Sequence, residues 1–572
     1  MQQQDNSTTT SGQALSLVCT PELQGVGAAE QRSSFYVMAS ITAPEFRSEK
    51  RAPVDMICVI DRSGSMSGDR INMAKSTVEF VVANLQQDDR LGIVTYDDSV
   101  ANHFPLRPMT THGKEAALAA IKSIAVGGST NLCGGLVEGV NQMRGREAGA
   151  QKNQVASVLL FTDGQANAGY TQAEDIIKAT INADHASASA GGGGSYGGGW
   201  GSPPRRQQQQ QQQQRFTNAY AVPQQQQQQL PISYGVPQQQ SPQPISYGIP
   251  QQQQLPVALQ PVAQAQNPTD FSGAETEETE EEKKKKVCED LPLPCTINTF
   301  GFGADHDATL LKKIADHGQG IYYYIDSTKA IAEAFADCLG GLLSVVAQDI
   351  RVSFEAPASG QAVRINRVLT KFRSTELEAG RAYELVLGDI QSEERRDILV
   401  EVSIANTTDV DAVLPVLKAT VTYTNVITGQ QGARAETTAT VRRPALPTGE
   451  TRDYAVDRQL NRLLAAEAME QANEAARDGQ MERAREIIKR ASGRIAESVS
   501  RDDEFCKSLV SDLERCEGGL QSQSSWAADG SKMLTNQMQA HYVQRSTNVG
   551  WAGQASYQTS TRDRMQCNFK SS

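Results

Sequence analysis

Asp61, Ser63 and Ser65 form a D-x-S-x-S sequence at the end of the apolar run Val54–Ile60, just ahead of a helical pattern that opens at Arg70. A strand that ends in one carboxylate and two hydroxyls on one tight turn directs three hard oxygens at one spot above a sheet edge. Two more oxygen donors follow in comparable positions. Thr130 lies in Gly127-Gly128-Ser129-Thr130-Asn131, before a helix, and Asp163 lies in Phe161-Thr162-Asp163-Gly164, after the apolar run Val155–Leu160. No imidazole or thiolate belongs to the set. Oxygen-only donors suit a hard dication such as Mg2+ or Mn2+, which takes octahedral oxygen ligands and keeps part of its water shell. The sequence therefore predicts a metal site made of Asp61, Ser63, Ser65, Thr130 and Asp163, with no catalytic residue beside it.

Other reactive residue types fit plainer roles. Asp305 and Asp307 flank His306 where a helix begins, which is the place for N-capping carboxylates. Cys133 starts a helix, where a thiol is either acidified or simply packed, and packing is the preferred reading. Asp97 and Asp98 end a strand and either brace the site or are solvated. Cys288 and Cys295 have no second pair to complete a metal site. Neither H-x-x-x-H nor H-E-x-x-H occurs, and no glycine-rich loop with lysine marks a nucleotide hydrolase.

The elements that must position these residues alternate between apolar strands and amphipathic helices, the pattern of a parallel sheet covered on both faces. This α/β unit is expected over 51–182 and 291–346, a Rossmann-like arrangement interrupted once. The interruption, 183–290, is rich in Gly, Gln and Pro and repeats Tyr-Gly-Val-Pro-like units, a composition that buries too little apolar surface to offset the entropy of ordering. Long insertions between elements cost little stability, so a tolerated surface expansion is expected. Short alternating runs over 15–48 and 347–444 predict a β-sandwich unit wrapped around the α/β unit. Helical periodicity predicts a C-terminal helical domain over 450–545, with a disordered N-terminus over 1–14 and a flexible tail over 546–572.

At 572 residues the chain needs several cores. Its formal charge of −12 disfavours nucleic-acid binding. No apolar run is long enough to span a bilayer, and the opening residues lack the basic and apolar regions of a secretory signal. The 9 scattered cysteines read as reduced thiols, so a cytoplasmic setting is expected.

The five oxygen donors, on three loops in this order, resemble the metal-ion-dependent adhesion site of the von Willebrand factor A family. The unit following the α/β region, Phe300-Gly301-Phe302-Gly303-Ala304-Asp305-His306-Asp307, Cys338–Val346, and the helices around Gln539-Ala540-His541 narrow the likeness. They resemble intracellular plant A-domain proteins that carry a RING finger, and protist proteins joining an A domain to an intein-like module. The A domain by itself is similar to that of inter-alpha-trypsin inhibitor heavy chains. The resemblance implies that Ser63 and Ser65 contact the ion directly, that Asp61 and Asp163 act through water, and that Thr130 alternates between the two. It also implies an open coordination position for an acidic group on a partner protein. The sequence contains no C-x-x-C pair, so RING activity does not carry over. The expected function is a non-enzymatic protein-binding scaffold using Mg2+ or Mn2+. The alternative is a RING-less adaptor or pseudo-ligase in a ubiquitin pathway.

Overall fold

The computed structural model describes residues 14–45, 51–146, 152–163, 166–182, 293–303, 305–325, 328–357, 362–446, 449–547 and 553–571. Residues 1–13 and the Gln/Pro/Gly-rich segment 183–290 lie outside the described residues, so the expectations for them have no structural counterpart here. Two strands open the chain, β1 (Ser16–Pro21) and β2 (Arg32–Thr42).

The α/β layer follows, with β3 (Val54–Asp61), α1 (Asp69–Asn84), β4 (Arg90–Tyr96), β5 (Val100–Pro108), α2 (Thr111–Ser123), α3 (Leu132–Gly145), β6 (Val155–Thr162) and α4 (Ala173–Asn182). It resumes with β7 (Thr296–Phe302), α5 (Ala308–His317), β8 (Gln319–Ile325) and α6 (Thr328–Leu342). The six strands run in the order β5-β4-β3-β6-β7-β8, all parallel except β5. Every residue of β3, β4 and β6 is buried, as a parallel strand covered on both faces requires. Crossovers between parallel strands bring each following loop to the same sheet edge, and that edge carries the candidate site.

Within three residues of α6 the chain enters β9 (Val345–Glu355) and then β10 (Val363–Leu369), β11 (Arg373–Glu378), β12 (Ala382–Leu387), β13 (Ile390–Gln391), β14 (Arg395–Ile404), β15 (Ala412–Asn425) and β16 (Ala433–Arg443). One sheet has the order β1-β2-β14-β10 and the other β11-β12-β9-β15-β16, with β13 paired to β9. Their inner faces enclose a core that includes Phe35, Val37, Ile350, Val352, Phe354 and Val400. The chain therefore leaves one sheet for the α/β layer after β2 and returns to the sandwich at β9.

Five longer helices complete the chain: α7 (Tyr454–Arg477), α8 (Met481–Ala496), α9 (Glu504–Gly519), α10 (Ser531–Val543) and α11 (Ser560–Ser571). Met38 of β2 and Leu399 of β14 join their apolar core, so the helices pack on the outer face of the first sheet. Within the stretch expected to be a flexible tail, 546–572, the described residues include a helix. Residues 560–571 are helical, and Arg562 is fully buried, with its Nη2 3.0 Å from Glu394 and its Nε 3.0 Å from Gln391. A polar sequence is ordered here because buried carboxylate and amide groups of other elements satisfy it.

Candidate functional site

β3 pairs in parallel with β4 and β6, so the loops after the three strands meet above one edge. Asp61 ends β3 and is fully buried. Its Oδ1 accepts the Ser63 amide at 2.8 Å and its Oδ2 accepts the Thr162 hydroxyl at 2.7 Å. Burial raises the Asp61 carboxyl above its ordinary value, although the bonds from Ser63 and Thr162 oppose that rise. The Ser63 and Ser65 hydroxyls lie 3.1 Å apart, and Ser65 donates to Asp163 Oδ1 at 2.9 Å. Arg70 Nη1 ion-pairs with the other oxygen of Asp163, and its Nη2 reaches Asp305 at 3.1 Å. The Asp163 side chain is fully buried, that of Arg70 is 30% exposed and that of Asp305 is 76% exposed. The guanidinium thus spans from a buried carboxylate to one at the surface.

Asp61, Ser63, Ser65 and Asp163 are therefore linked by one chain of hydrogen bonds. Thr130 is buried on the adjoining loop, where its amide donates to Asn167 Oδ1 at 2.7 Å and its carbonyl accepts from Asn167 and Ala168. None of the described hydrogen bonds joins it to the other four. The loops are tied through the backbone instead, by Gly64 N–H to Gly128 O at 2.9 Å.

Asp97 and Asp98 brace this arrangement. Asp97 Oδ1 accepts from the amide and hydroxyl of Ser99, and its Oδ2 lies 2.9 Å from Arg62. Burial works against the Asp97 charge, but the Ser99 bonds and Arg62 outweigh it and hold the carboxyl below its ordinary value. Asp98 accepts the Ser129 amide at 2.9 Å. A Cβ on Gly127 would lie 1.8 Å from Asp97 Oδ2, and one on Gly128 1.8 Å from Asp98 Oδ2. The paired glycines are what allow the carboxylates to seat against the loop.

The expectation of Mg2+ or Mn2+ is corrected by the same contacts. Among the described residues no group of three or more His, Cys, Asp and Glu side chains comes together to hold a metal ion. Both oxygens of Asp61 and both of Asp163 already accept from protein donors, and the cation beside Asp163 is the guanidinium of Arg70. The donor set does not fit a dication, because its carboxylates are already compensated.

The other chemistry-bearing residues have structural roles. Asp307 caps α5 by accepting from the Leu310 amide at 3.0 Å, whereas Asp305 turns to Arg70. His306 lies buried between Gly303 O and the Tyr322 hydroxyl, and burial lowers its pKa to about 4. Burial pushes the Cys133 thiol up to about 11 and the Cys295 thiol to about 12, so neither is acidified. Cys288 lies outside the described residues.

Residues 55–193 match the model of the von Willebrand factor type A domain, and residues 269–324 match a second model of that domain. The chain carries a von Willebrand factor type A domain. Residues 452–548 of this A-domain protein match the model described as CPSF6-like, RSLD domain, N-terminal region, a span that covers α7 to α10. The A-domain protein is 36% identical over 117 residues to the E3 ubiquitin-protein ligase WAV3 of Arabidopsis thaliana, covering 20% of this chain and 15% of that one. It is 30% identical over 164 residues to the E3 ubiquitin-protein ligase WAVH1 of the same plant, covering 26% of this chain and 24% of that one. The matches therefore span about 15–24% of the length of those curated relatives. The solved structure of a von Willebrand factor type A protein from Catenulispora acidiphila superposes with a TM-score of 0.52 at 14% identity, over 88% of this chain and 90% of that one. At that identity the likeness is one of fold. Among the described residues no helix of the A-domain protein is long and apolar enough to cross a membrane.

Residues outside the D-x-S-x-S reading complete the site. Thr162 holds Asp61, Asn167 holds Thr130, Asn131 caps α3 by accepting from Gly134, and Arg70 supplies the positive charge. The one sequence signal for Arg70 is its place in the first turn of the helix that directly follows Asp61-Arg62-Ser63-Gly64-Ser65.

Proposed function

We propose that this A-domain protein is a non-catalytic adaptor that joins protein partners in a ubiquitin pathway, with the ligase chemistry supplied by another chain. The plant relatives named as E3 ubiquitin-protein ligases support the pathway. The observation that carries the reading is the surface end of the Arg70 bridge. Asp163 fixes one side of the guanidinium, while the other side pairs with the exposed Asp305. An acidic side chain of a partner can take the place of Asp305 and gain a charge-assisted bond to a cation already oriented by a buried carboxylate. The site then works by recognition, through charge and fixed geometry, with no group arranged to attack or protonate a substrate.

The test is affinity capture from cell extract with the full chain, Arg70→Glu and Asp305→Ala. The native chain is expected to retain a ubiquitin ligase subunit, Arg70→Glu to lose it and Asp305→Ala to hold it more tightly. Capture of the same proteins by Arg70→Glu, or a captured set without ubiquitin ligase components, would overturn the reading.

A further inference from the structure

Strands that end a sheet offer unpaired peptide groups to any other strand, and three of the edges among the described residues are blunted against that. β5 carries Pro105 and Pro108 and two breaks in register. β10 is bulged between Ile365 and Arg367, and β11 is exposed throughout, bulged, and charged at Arg373, Glu376 and Glu378. β8 has one irregularity, at its start between Gln319 and Tyr322, and none beyond it. Its register with β7 is unbroken from Tyr322 to Ile325, and Ile321-Tyr322-Tyr323-Tyr324-Ile325 has no charge, proline or glycine.

A helix covers this edge. The Ile321 amide donates to the side-chain Oδ1 of Asn298 on β7 at 2.9 Å, and Ile325 O accepts from the Gly303 amide at 2.9 Å, so these residues turn their peptide groups towards β7. By alternation Tyr322 and Tyr324 turn theirs the other way. There α10 stands in for a strand. Gln539 Oε1 accepts the Tyr322 amide at 3.2 Å, and Asn536 Nδ2 donates to the Tyr322 carbonyl at 3.2 Å. The residue that caps α10, Gln544, does the same to β14, accepting from the Asp397 amide at 2.8 Å and donating to its carbonyl at 3.0 Å. Side-chain amides from one segment thus imitate a neighbouring strand at two separate sheets.

The cover leaves one buried side-chain amide unsatisfied. Gln537 is fully buried on α10 and neither of its amide atoms has a hydrogen-bond partner. A desolvated amide without partners subtracts from the seated state of the helix and favours its lifting over the unfolding of the sheet beneath.

We propose that β8 is a self-pairing strand that α10 masks, and that lifting α10 lets β8 add to the β8 strand of a second copy of this chain. The sequence from Ile321 to Ile325 reads the same in both directions about Tyr323. An antiparallel pair of two copies centred on Tyr323 therefore sets Tyr322 of one opposite Tyr324 of the other, which are the residues whose peptide groups face outward. Ile321 then meets Ile325, and the two-fold axis makes the contact self-complementary. The uncharged, aromatic edge suits such pairing and gives no charge that a second copy would repel.

The test uses the full chain with Asn536→Ala and Gln539→Ala together. Light scattering against concentration and hydrogen exchange resolved to single amides are the readouts. The Tyr322 amide is expected to exchange at least tenfold faster in dilute solution, and a dimer to appear as concentration rises. Adding Tyr324→Pro, which removes an outward N–H without touching a bond to β7, is expected to restore the monomer. A variant that stays monomeric with an unprotected Tyr322 amide overturns the proposal, as does a dimer that survives Tyr324→Pro. If the double variant loses its cooperative transition, the native chain decides. Faster exchange at Tyr322 than at Tyr323 supports a liftable mask, and exchange of both only through global unfolding overturns it.

Discussion

Arg70 and Asp163, 93 residues apart in sequence, form the ion pair on which the candidate site is built. The Asp163 side chain is fully buried, so its charge depends on that guanidinium and on the Ser65 hydroxyl. Removing one partner of such a pair leaves the other desolvated without compensation. Arg70→Ala is expected to destabilise the chain by about 1–3 kcal/mol, below the figure for a wholly buried pair because Arg70 is partly exposed. Arg70→Lys keeps the charge but loses the fork to Asp305, and should recover only part of the loss. Urea unfolding checks both, and a change in Arg70→Ala under about 0.3 kcal/mol would show that Asp163 is satisfied without the pair.

Gly127 and Asp97 make a second testable pair, because a Cβ at Gly127 would lie on the carboxylate of Asp97. Gly127→Ala is expected to cost about 1–3 kcal/mol as an overpacking change in a braced loop. In the Asp97→Ala background the space is open, so the same substitution should cost much less. The double-mutant cycle reads this directly as a coupling energy, and additive effects would mean that the loop moves aside.

How far these arrangements could be read from sequence depended on whether a local pattern carried them. Val54–Asp61 and Val155–Thr162 are apolar runs ending in oxygen donors, and a buried parallel strand produces that pattern whatever lies around it. The A-domain fold class was legible for this reason. Arg70 was not, because an arginine in the first turn of a helix reads as solvated until the fold brings Asp163 beside it. The error about the metal has the same origin, since the oxygen donors were visible and the internal cation that answers them was not. The ordered segment 560–571 was hidden more deeply. Its Arg562 looks like a surface charge, and only Glu394 and Gln391, more than 160 residues earlier, make its burial tolerable.

Arg562 leads to a prediction about that last helix. Its guanidinium meets Glu394 and Gln391 and lies 3.6 Å from Asp337, all buried. The backbone of Arg562 also passes within 3.1 Å of where a Cβ would stand on Gly340, so the helix seats closely on α6. Arg562→Ala is expected to destabilise by roughly 3–5 kcal/mol and to raise protease sensitivity within 560–571 first. Cleavage there at the native rate would mean that α11 is not clamped through this residue.

Asp337 gives a pH dependence whose sign follows from its surroundings. It is 1% exposed, accepts from the Tyr323 hydroxyl at 3.2 Å and faces Arg562, with Arg545 and Glu394 further off in the same cluster. Burial is the largest influence and pushes its pKa up to about 6, despite the two arginines and the tyrosine. In the unfolded chain an aspartic acid ionises near pH 4. Between about pH 4 and 6 the unfolded state therefore releases a proton that the folded state retains, so the stabilising contribution is whole below pH 4 and is lost as pH rises through 6. An asparagine at this position would not ionise in either state, so Asp337→Asn escapes that loss. Asp389, also raised to about 6, imposes the same slope on both proteins and cancels from their difference. Glu394 is held well below its ordinary value because Arg396, Arg545 and Arg562 overcome its burial, and its stabilisation is lost only at lower pH, in both proteins alike. Urea unfolding should find Asp337→Asn close to the native chain at pH 4 and more stable by about 2–3 kcal/mol at pH 7.5. A variant less stable than the native chain at pH 7.5, or a difference that does not change with pH, would show that Arg562 keeps Asp337 ionised in the folded protein.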